Sequence, residues 1–370
     1  DKDILKIAKI ILHMILKVLY VFACLQPVKK QRVTFITLTS KNLNGDFALI
    51  SKYLRRKDST VELRYILTKF QKSIIGDLQY FFNCLHQIFL VNSSHVVILN
   101  DNNYVISNFK RKDVKVIQIW HACGAVKRFG NEINRQYPIK NYDYVFSGSE
   151  AWGRIYSRSF GVNEDQVLPL GIARTDVLSN GKWLAEASEK LREKYPVVTN
   201  KYVILYVPTF RGNIIDGLGY EDLKLERLLS ALPDDVVILY RMHPLLKKVS
   251  LGENDRIINV ADDNLNELYT VADCLVTDYS SVVFDFSVMN KKMVLYVPDL
   301  EEYERERGLN ISLDEIPAEI CINQEMLVGA LKNRSYSVEK IAVFRQKYAK
   351  YLDGQSTKRI GDFILNIIQK

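Results

Sequence analysis

Residues 115–130 read KVIQIWHACGAVKRFG, a β-branched apolar stretch that stops at Trp120-His121 and gives way to Gly124 and the cations Lys127 and Arg128. Buried strands seldom finish on a titratable ring beside two cations unless something anionic or reactive sits at the tip. An imidazole titrates near neutrality, so His121 either accepts a proton from an attacking hydroxyl or tethers a loop by hydrogen bonds. Gly124 lets backbone approach a ligand closely. Lys127 and Arg128, expected at the start of a helix, add charge to its positive end.

Three further strand ends carry polar residues. YVPTFRGN places Thr209 and Arg211 beyond one strand, and ILYRMHP places Arg241 and His243 two residues apart beyond another. CLVTDYSSVVFDF sets Asp278, Ser280 and Ser281 between a strand and an apolar helix. A serine opening a helix is ordinarily an N-cap worth about 1 kcal/mol. Two adjacent hydroxyls beside the unbonded N–H groups of a helix start also make a phosphate cradle. Arg241 and His243 are suited to neutralising a pyrophosphate. Taken together, cations, hydroxyls and two imidazoles at strand ends point to chemistry on a nucleotide diphosphate, with His121 and His243 expected to face each other across a gap between lobes. No P-loop motif occurs, and the acidic pairs Asp234-Asp235 and Asp262-Asp263 read as surface turns, not metal ligands. The expected mechanism is metal-independent and needs no cofactor.

The elements that must carry these residues alternate along the chain. Apolar runs at 33–37, 96–99, 114–120 and 142–147 read as strands, with helices at 46–56, 73–89 and 150–160. The second half repeats the style, with strands at 202–207, 236–240, 274–277 and 293–297 and helices at 223–232, 265–272 and 281–289. Continuous apolar strands between amphipathic helices imply parallel sheets covered on both faces, hence an α/β chain. We expect two Rossmann-like domains, 31–180 and 181–350, joined around the polar stretch 179–200, with a C-terminal helix over 351–370. In such sheets ligands bind beyond the carboxyl ends of the strands.

The 370 residues are 48% hydrophobic, and 51 Lys and Arg against 43 Asp and Glu leave a net charge of +8. That balance favours anionic partners: nucleic acid, acidic lipid or phosphorylated substrates. Five scattered cysteines without a C-x-x-C pair fit a reducing cytosolic compartment. Residues 4–25 are nearly all apolar, yet Lys2, Lys6, Lys9, His13 and Lys17 interrupt them, and on a helix these five share roughly 80° of arc. A central Lys costs about 2.5–3.5 kcal/mol in a spanning segment, so a stripe of them argues against crossing. No A-x-A-like cleavage site follows. Residues 1–30 therefore read as an amphipathic helix lying in an anionic membrane surface, the alternative being a helix packed on the protein itself.

The motifs WHACGAVKRFG, GIARTD, VPTFR, RMHP, TDYSSVVFDF and DGQSTKRI follow one another between Trp120 and Ile360. In content and order they resemble those of the CDP-glycerol glycerophosphotransferases, which build teichoic acids and related capsular phosphopolymers in bacteria. Ala173 stands where proline is common, and Phe210 where tryptophan is common. The resemblance implies a GT-B architecture, two Rossmann-like domains with a facing cleft, the donor nucleotide lying mainly on the C-terminal one. It makes His121 the base that deprotonates the acceptor hydroxyl and His243 the group that contacts the donor phosphates and helps CMP leave. Arg211, Arg241, Asp278, Ser280 and Ser281 fall in motifs that line the donor site. The implied reaction is in-line attack on the β-phosphorus of CDP-glycerol or CDP-ribitol, moving an alditol phosphate to a polyprenyl-diphosphate-linked saccharide. It implies a peripheral enzyme on the cytoplasmic face of the bacterial membrane; the lack of a large extra N-terminal domain tilts the reading toward a short, priming type over a polymerase. The competing enzymatic reading is a nucleotide-sugar glycosyltransferase on the same scaffold. A nucleic-acid-binding protein is disfavoured, because the cations are not interleaved with aromatics in a groove-like run.

Overall fold

The computed structural model describes residues 2–71, 73–213, 217–219, 223–242, 246, 250–252 and 254–370. The chain divides into two units: Asp1–His121, Phe129–Arg174 and Gln355–Lys370 form the first, and Ala122–Arg128 with Thr175–Gly354 form the second.

In the first unit β1 (Lys29–Thr37), β2 (Glu62–Leu67), β3 (Ser94–Leu99), β4 (Lys115–Gln118), β5 (Tyr144–Phe146) and β6 (Val167–Leu168) make one parallel sheet in the order β2-β1-β3-β4-β5-β6. The order reverses between β1 and β3, the kind of switch point beside which doubly wound sheets bind ligands. Helices α1 (Lys2–Leu25), α2 (Gly45–Lys57) and α3 (Ile74–Asn92) belong to this unit. Its core joins Phe35, Ile98, Ile117 and Phe146 of the sheet to Ile360, Ile364 and Ile368 of the C-terminal helix Ser356–Ile368. Gly361 is what lets that helix lie on α2, since a Cβ there would come within 2.2 Å of the Tyr53 ring. Beside it the Tyr53 hydroxyl donates to Asp362 at 2.6 Å.

Helix α1 has a docked edge and a bare one. Leu16 and Ala23 are fully buried in a cluster with Cys84 and Ile88 of α3. Ile10, Met14, Val18, Val21 and Phe22 lie more than half exposed. By length and composition Ile7–Leu25 is able to cross a membrane. Two members of the expected basic stripe meet the protein: Lys9 Nζ donates to Gln136 Oε1 at 3.0 Å, and His13 Nδ1 lies 2.8 Å from the Tyr104 hydroxyl with its ring 5.0 Å from that of Phe109. Periodicity placed His13 with the lysines, but a half-apolar ring finds a better partner in an aromatic pocket than in water.

In the second unit β7 (Tyr202–Val207) is followed by the hairpin β8 (Arg211–Asn213) and β9 (Gly217–Gly219). The sheet proper continues with β10 (Val236–Tyr240), β11 (Ile257–Asn259), β12 (Cys274–Thr277), β13 (Lys292–Tyr296) and β14 (Ala318–Cys321). Its order is β11-β10-β7-β12-β13-β14, all parallel, with the reversal between β7 and β12. This is the arrangement of a dinucleotide-binding fold. The stretch 179–200, expected as a polar connection, contains instead the helix Gly181–Lys194, opened by the Asn180 side chain accepting from the Trp183 N–H. Only Ala187 and Leu191 of that helix are buried, so its contact stripe is too narrow to stand out among its charges.

Candidate active site

His121 hangs from the carboxyl end of β4, beside the tip of β3. Trp120, between strand and histidine, has φ +45°, a left-handed conformation that costs a non-glycine residue of order 1–3 kcal/mol. Two contacts hold it there. Its N–H donates to Gln118 Oε1 at 2.8 Å, and its indole packs 5.2 Å from the rings of Phe129 and Phe160. The resulting turn brings the exposed imidazole against the indole, ring centres 3.9 Å apart. His121 Nδ1 lies 3.2 Å from the Asn100 carbonyl oxygen. A carbonyl only accepts, so Nδ1 carries the ring proton and Nε2 is the basic nitrogen. The loop tether and the candidate base read from the sequence are therefore the same residue. Asp101, the next residue along β3's tip, has its carboxyl raised above the ordinary range by burial, with the nearby His121 pulling it back.

The second unit gathers polar residues across its switch point. Thr209, past β7, donates its N–H to both oxygens of Asp278, past β12, at 3.0 and 3.1 Å, and its hydroxyl donates at 3.0 Å. Arg211 Nη1 reaches the same carboxylate at 2.9 Å, while its Nε donates to Asp299 at 2.6 Å. The guanidinium lies 5.2 Å from the ring centre of Tyr279 and 5.0 Å from that of Tyr303, two rings stacked at 3.7 Å. Burial pulls Arg211 down, yet the bonds to Asp299 and the charge of Asp278 outweigh it and hold it above its usual value. For Asp278 burial pushes upward and Arg211 opposes. Asp299 ends low: burial works against its charge, but the Arg211 donors prevail.

Lys127 enters this unit with the short segment that follows His121. Its ammonium lies 5.4 Å from the Phe210 ring centre, and burial holds its pKa down to about 8, with Asp278 opposing. The helix expected to begin at Lys127 and Arg128 is absent. Lys127 forms a β-bridge with Leu309, and the Arg128 N–H donates to the Gly308 carbonyl. Extended backbone thus runs through both residues, and only the three-residue turn Gly130–Glu132 follows. Gly124 is buried in the same segment.

Ser280 and Ser281 precede the helix Val282–Ser287, as read from the sequence. Ser281 makes no capping bond, and the Ser280 hydroxyl accepts from the Val282 N–H at 3.4 Å. Arg241 stands at the tip of β10 with its Nε on the Asp263 carbonyl at 3.3 Å, its pKa lowered by burial. His243 lies outside the described residues, so the expected pairing of two imidazoles does too. The structure brings Thr209, Arg211, Asp278 and Lys127 into one neighbourhood and leaves Arg241 on a separate partner. Sequence reasoning missed Asp299, although it sits two residues past the apolar run ending β13, where the same attention to strand tips finds it. It also missed Tyr279, inside a motif singled out for its neighbours.

Residues 18–366 match the family model described as CDP-Glycerol:Poly(glycerophosphate) glycerophosphotransferase. The chain belongs to that family. It is 30% identical to the teichoic acid ribitol-phosphate primase of Bacillus spizizenii (strain W23), over 94% of both chains. It is 33% identical to the teichoic acid glycerol-phosphate primase of Bacillus subtilis (strain 168), over 76% of each. Among solved structures, the wall teichoic acid polymerase TagF superposes with a TM-score of 0.73 at 25% identity, covering 92% of this chain and 90% of the other. Membership makes this glycerophosphotransferase homologue a CDP-alditol phosphotransferase, the class its motifs implied.

Proposed function

We propose that the chain transfers glycerol phosphate or ribitol phosphate from the CDP-alditol to a polyprenyl-diphosphate-linked saccharide in teichoic acid synthesis, and that its two units are the halves of a GT-B transferase. The observation that supports this reading is the exposed His121 ring at a strand tip, its Nδ1 turned to a backbone carbonyl, which makes Nε2 the nitrogen we assign as the base. The acceptor hydroxyl attacks the β-phosphorus and its proton passes to Nε2. The new acceptor O–P bond forms as the bond from the β-phosphorus to the bridging oxygen breaks, and CMP departs with that electron pair. Such a transfer needs positioning and charge stabilisation more than covalent catalysis. Lys127, Arg241, Ser280 and Ser281 are assigned to the donor phosphates, with Gly124 giving them room. His243 is assigned to the same phosphates by its motif. Thr209, Arg211 and Asp278 are assigned to the donor site as its pre-paired frame.

Membrane attachment follows from the bare face of α1, and α3 extends it: Ile74, Ile75, Leu78 and Phe82 are all more than half exposed. Two apolar helix faces bordered by Lys9 and Lys17 suit an anionic leaflet, where a lipid-linked acceptor is concentrated. The membrane face proposed is the cytoplasmic one.

The experiment is product mass. Purified protein with CDP-glycerol or CDP-ribitol and a lipid-linked saccharide releases CMP, and the acceptor gains an alditol phosphate. An acceptor that gains a sugar without phosphorus from a nucleotide sugar overturns the reading in favour of a glycosyltransferase.

A further inference from the structure

The residue that carries His121 is gripped at a second atom, by a side chain far along the chain. Arg174 Nη2 donates to the His121 carbonyl oxygen at 3.0 Å. The same guanidinium donates through Nη1 to Asp46 Oδ2 at 2.9 Å, and the Arg174 backbone N–H donates to Asp46 Oδ1 at 2.7 Å. Asp46 is in the first turn of α2, and Arg174 is the second residue of the helical turns Ala173–Ser179 that follow β6. Both side chains are mostly covered, 11% and 24% exposed. The fork therefore bridges α2 to the carbonyl of His121, the residue that follows the left-handed Trp120.

That placement matters because Trp120 stores strain. With the His121 carbonyl released, relaxation of Trp120 away from φ +45° would swing the following residue and carry the imidazole with it. Gln118 fixes the N–H side of Trp120, Asn100 fixes the His121 ring, and Arg174 fixes the His121 carbonyl. We propose that Arg174, held by Asp46, is a positioning residue that keeps His121 Nε2 aimed at the acceptor hydroxyl. This inference rests on the reading of His121 as the base. Arg174 itself touches no reacting atom in this assignment. A planar fork is required, because one ammonium cannot serve a carboxylate and a carbonyl in this geometry as two separate N–H groups do.

The test uses the full chain with Arg174→Lys, Arg174→Ala and Asp46→Asn, and two readouts. The first is steady-state CMP release. Both Arg174 variants are expected to lose about 100-fold in kcat, the scale of a misplaced catalytic group, with KM for the CDP-alditol unchanged. Asp46→Asn keeps an acceptor for the Arg174 N–H but loses the charge, so it falls less. The second readout is independent of turnover. The chain has five histidines, so 15N-imidazole spectra are tractable, with His121 assigned by its loss in His121→Asn. The wild-type ring shows the single tautomer protonated at Nδ1, and the Arg174 variants show an averaged one.

Wild-type kcat together with an unaltered imidazole signal in both Arg174 variants overturns the proposal. So does a raised KM at unchanged kcat, which would make Arg174 a binding residue. A wild-type protein that releases no CMP sinks the transferase reading, and the imidazole signal alone then decides whether Arg174 orients the ring. If Arg174→Ala does not fold, Arg174→Lys and Asp46→Asn carry the same readouts.

Discussion

The two sheets arm their tips in opposite ways. At the first stands an exposed imidazole, hung on a strained residue with its Nδ1 on a backbone carbonyl and a half-buried carboxyl beside it. At the second, nearly every charge is spoken for: Thr209, Asp278, Arg211 and Asp299 satisfy one another, and two stacked tyrosines cover the guanidinium. A proton acceptor has to be reachable and near neutral in pKa. A site that stabilises charge works best when its dipoles and ions are fixed before the ligand arrives. The contrast is what the proposed division of labour between base and donor frame requires.

The sharpest way to break that division is His121→Ala. Loss of a general base typically removes 10²–10⁴ of rate, and about 10³-fold is expected here in CMP release. Calorimetric binding of the CDP-alditol should survive, because the residues proposed for the donor belong to the other unit. If donor binding disappears with the imidazole, the two tips are not separate devices. Asp278→Ala should do the reverse, striking stability first. It strips Arg211 of one of its two carboxylates and leaves the Thr209 N–H without its acceptor, a loss of about 3–5 kcal/mol for a broken buried pair. A urea midpoint shift confined to this variant and absent from His121→Ala would sharpen the comparison, and equal shifts would blur it.

How far the sequence told this in advance follows from burial. Strands β7, β10 and β12 are buried almost throughout, so they appear as unbroken apolar runs and their tips are easy to find. The edge strand β2 is half-exposed, and β6 has two residues and β11 three, too little for any period to register. Site residues at strand tips were legible for the same reason. The partners that fix them were not: Asp46 and Arg174 are 128 positions apart, and no local pattern announces that they meet. His13 shows the limit of periodicity, which gives a side chain's direction around a helix and not what waits there.

The membrane face tests whether the first unit carries a second task apart from its base. Ile75→Asp and Val18→Asp each place a charge on the bare surface of α3 or α1. Burying one large apolar side chain is worth about 1.5–3 kcal/mol, so vesicle affinity should fall roughly 10- to 100-fold in sedimentation with anionic liposomes. Turnover with a detergent-soluble acceptor should not change. Undiminished pelleting of both variants would place the docking surface elsewhere.

The smallest effect concerns Lys127, the second-unit cation whose ammonium lies beside the Phe210 ring. Lys127 has its pKa lowered from 10.5 to about 8 by burial, so its charged form is the disfavoured one. The sign of the stability effect follows. Between pH 8 and 10.5 the unfolded chain binds more protons than the folded one, so the Lys127 contribution to stability improves as pH rises through that window, and its cost is present in full below 8. Lys127→Met should therefore raise the melting temperature at pH 7. Donor binding runs the other way, because a diphosphate favours the ammonium. Affinity for the CDP-alditol should be flat below pH 8 and then weaken by about tenfold per pH unit while the free side chain loses its proton, and the slope should vanish in Lys127→Met. A pH-independent wild-type affinity would remove Lys127 from the donor phosphates and leave it as a buried cation in the frame, which is the role its neighbour Arg211 already fills.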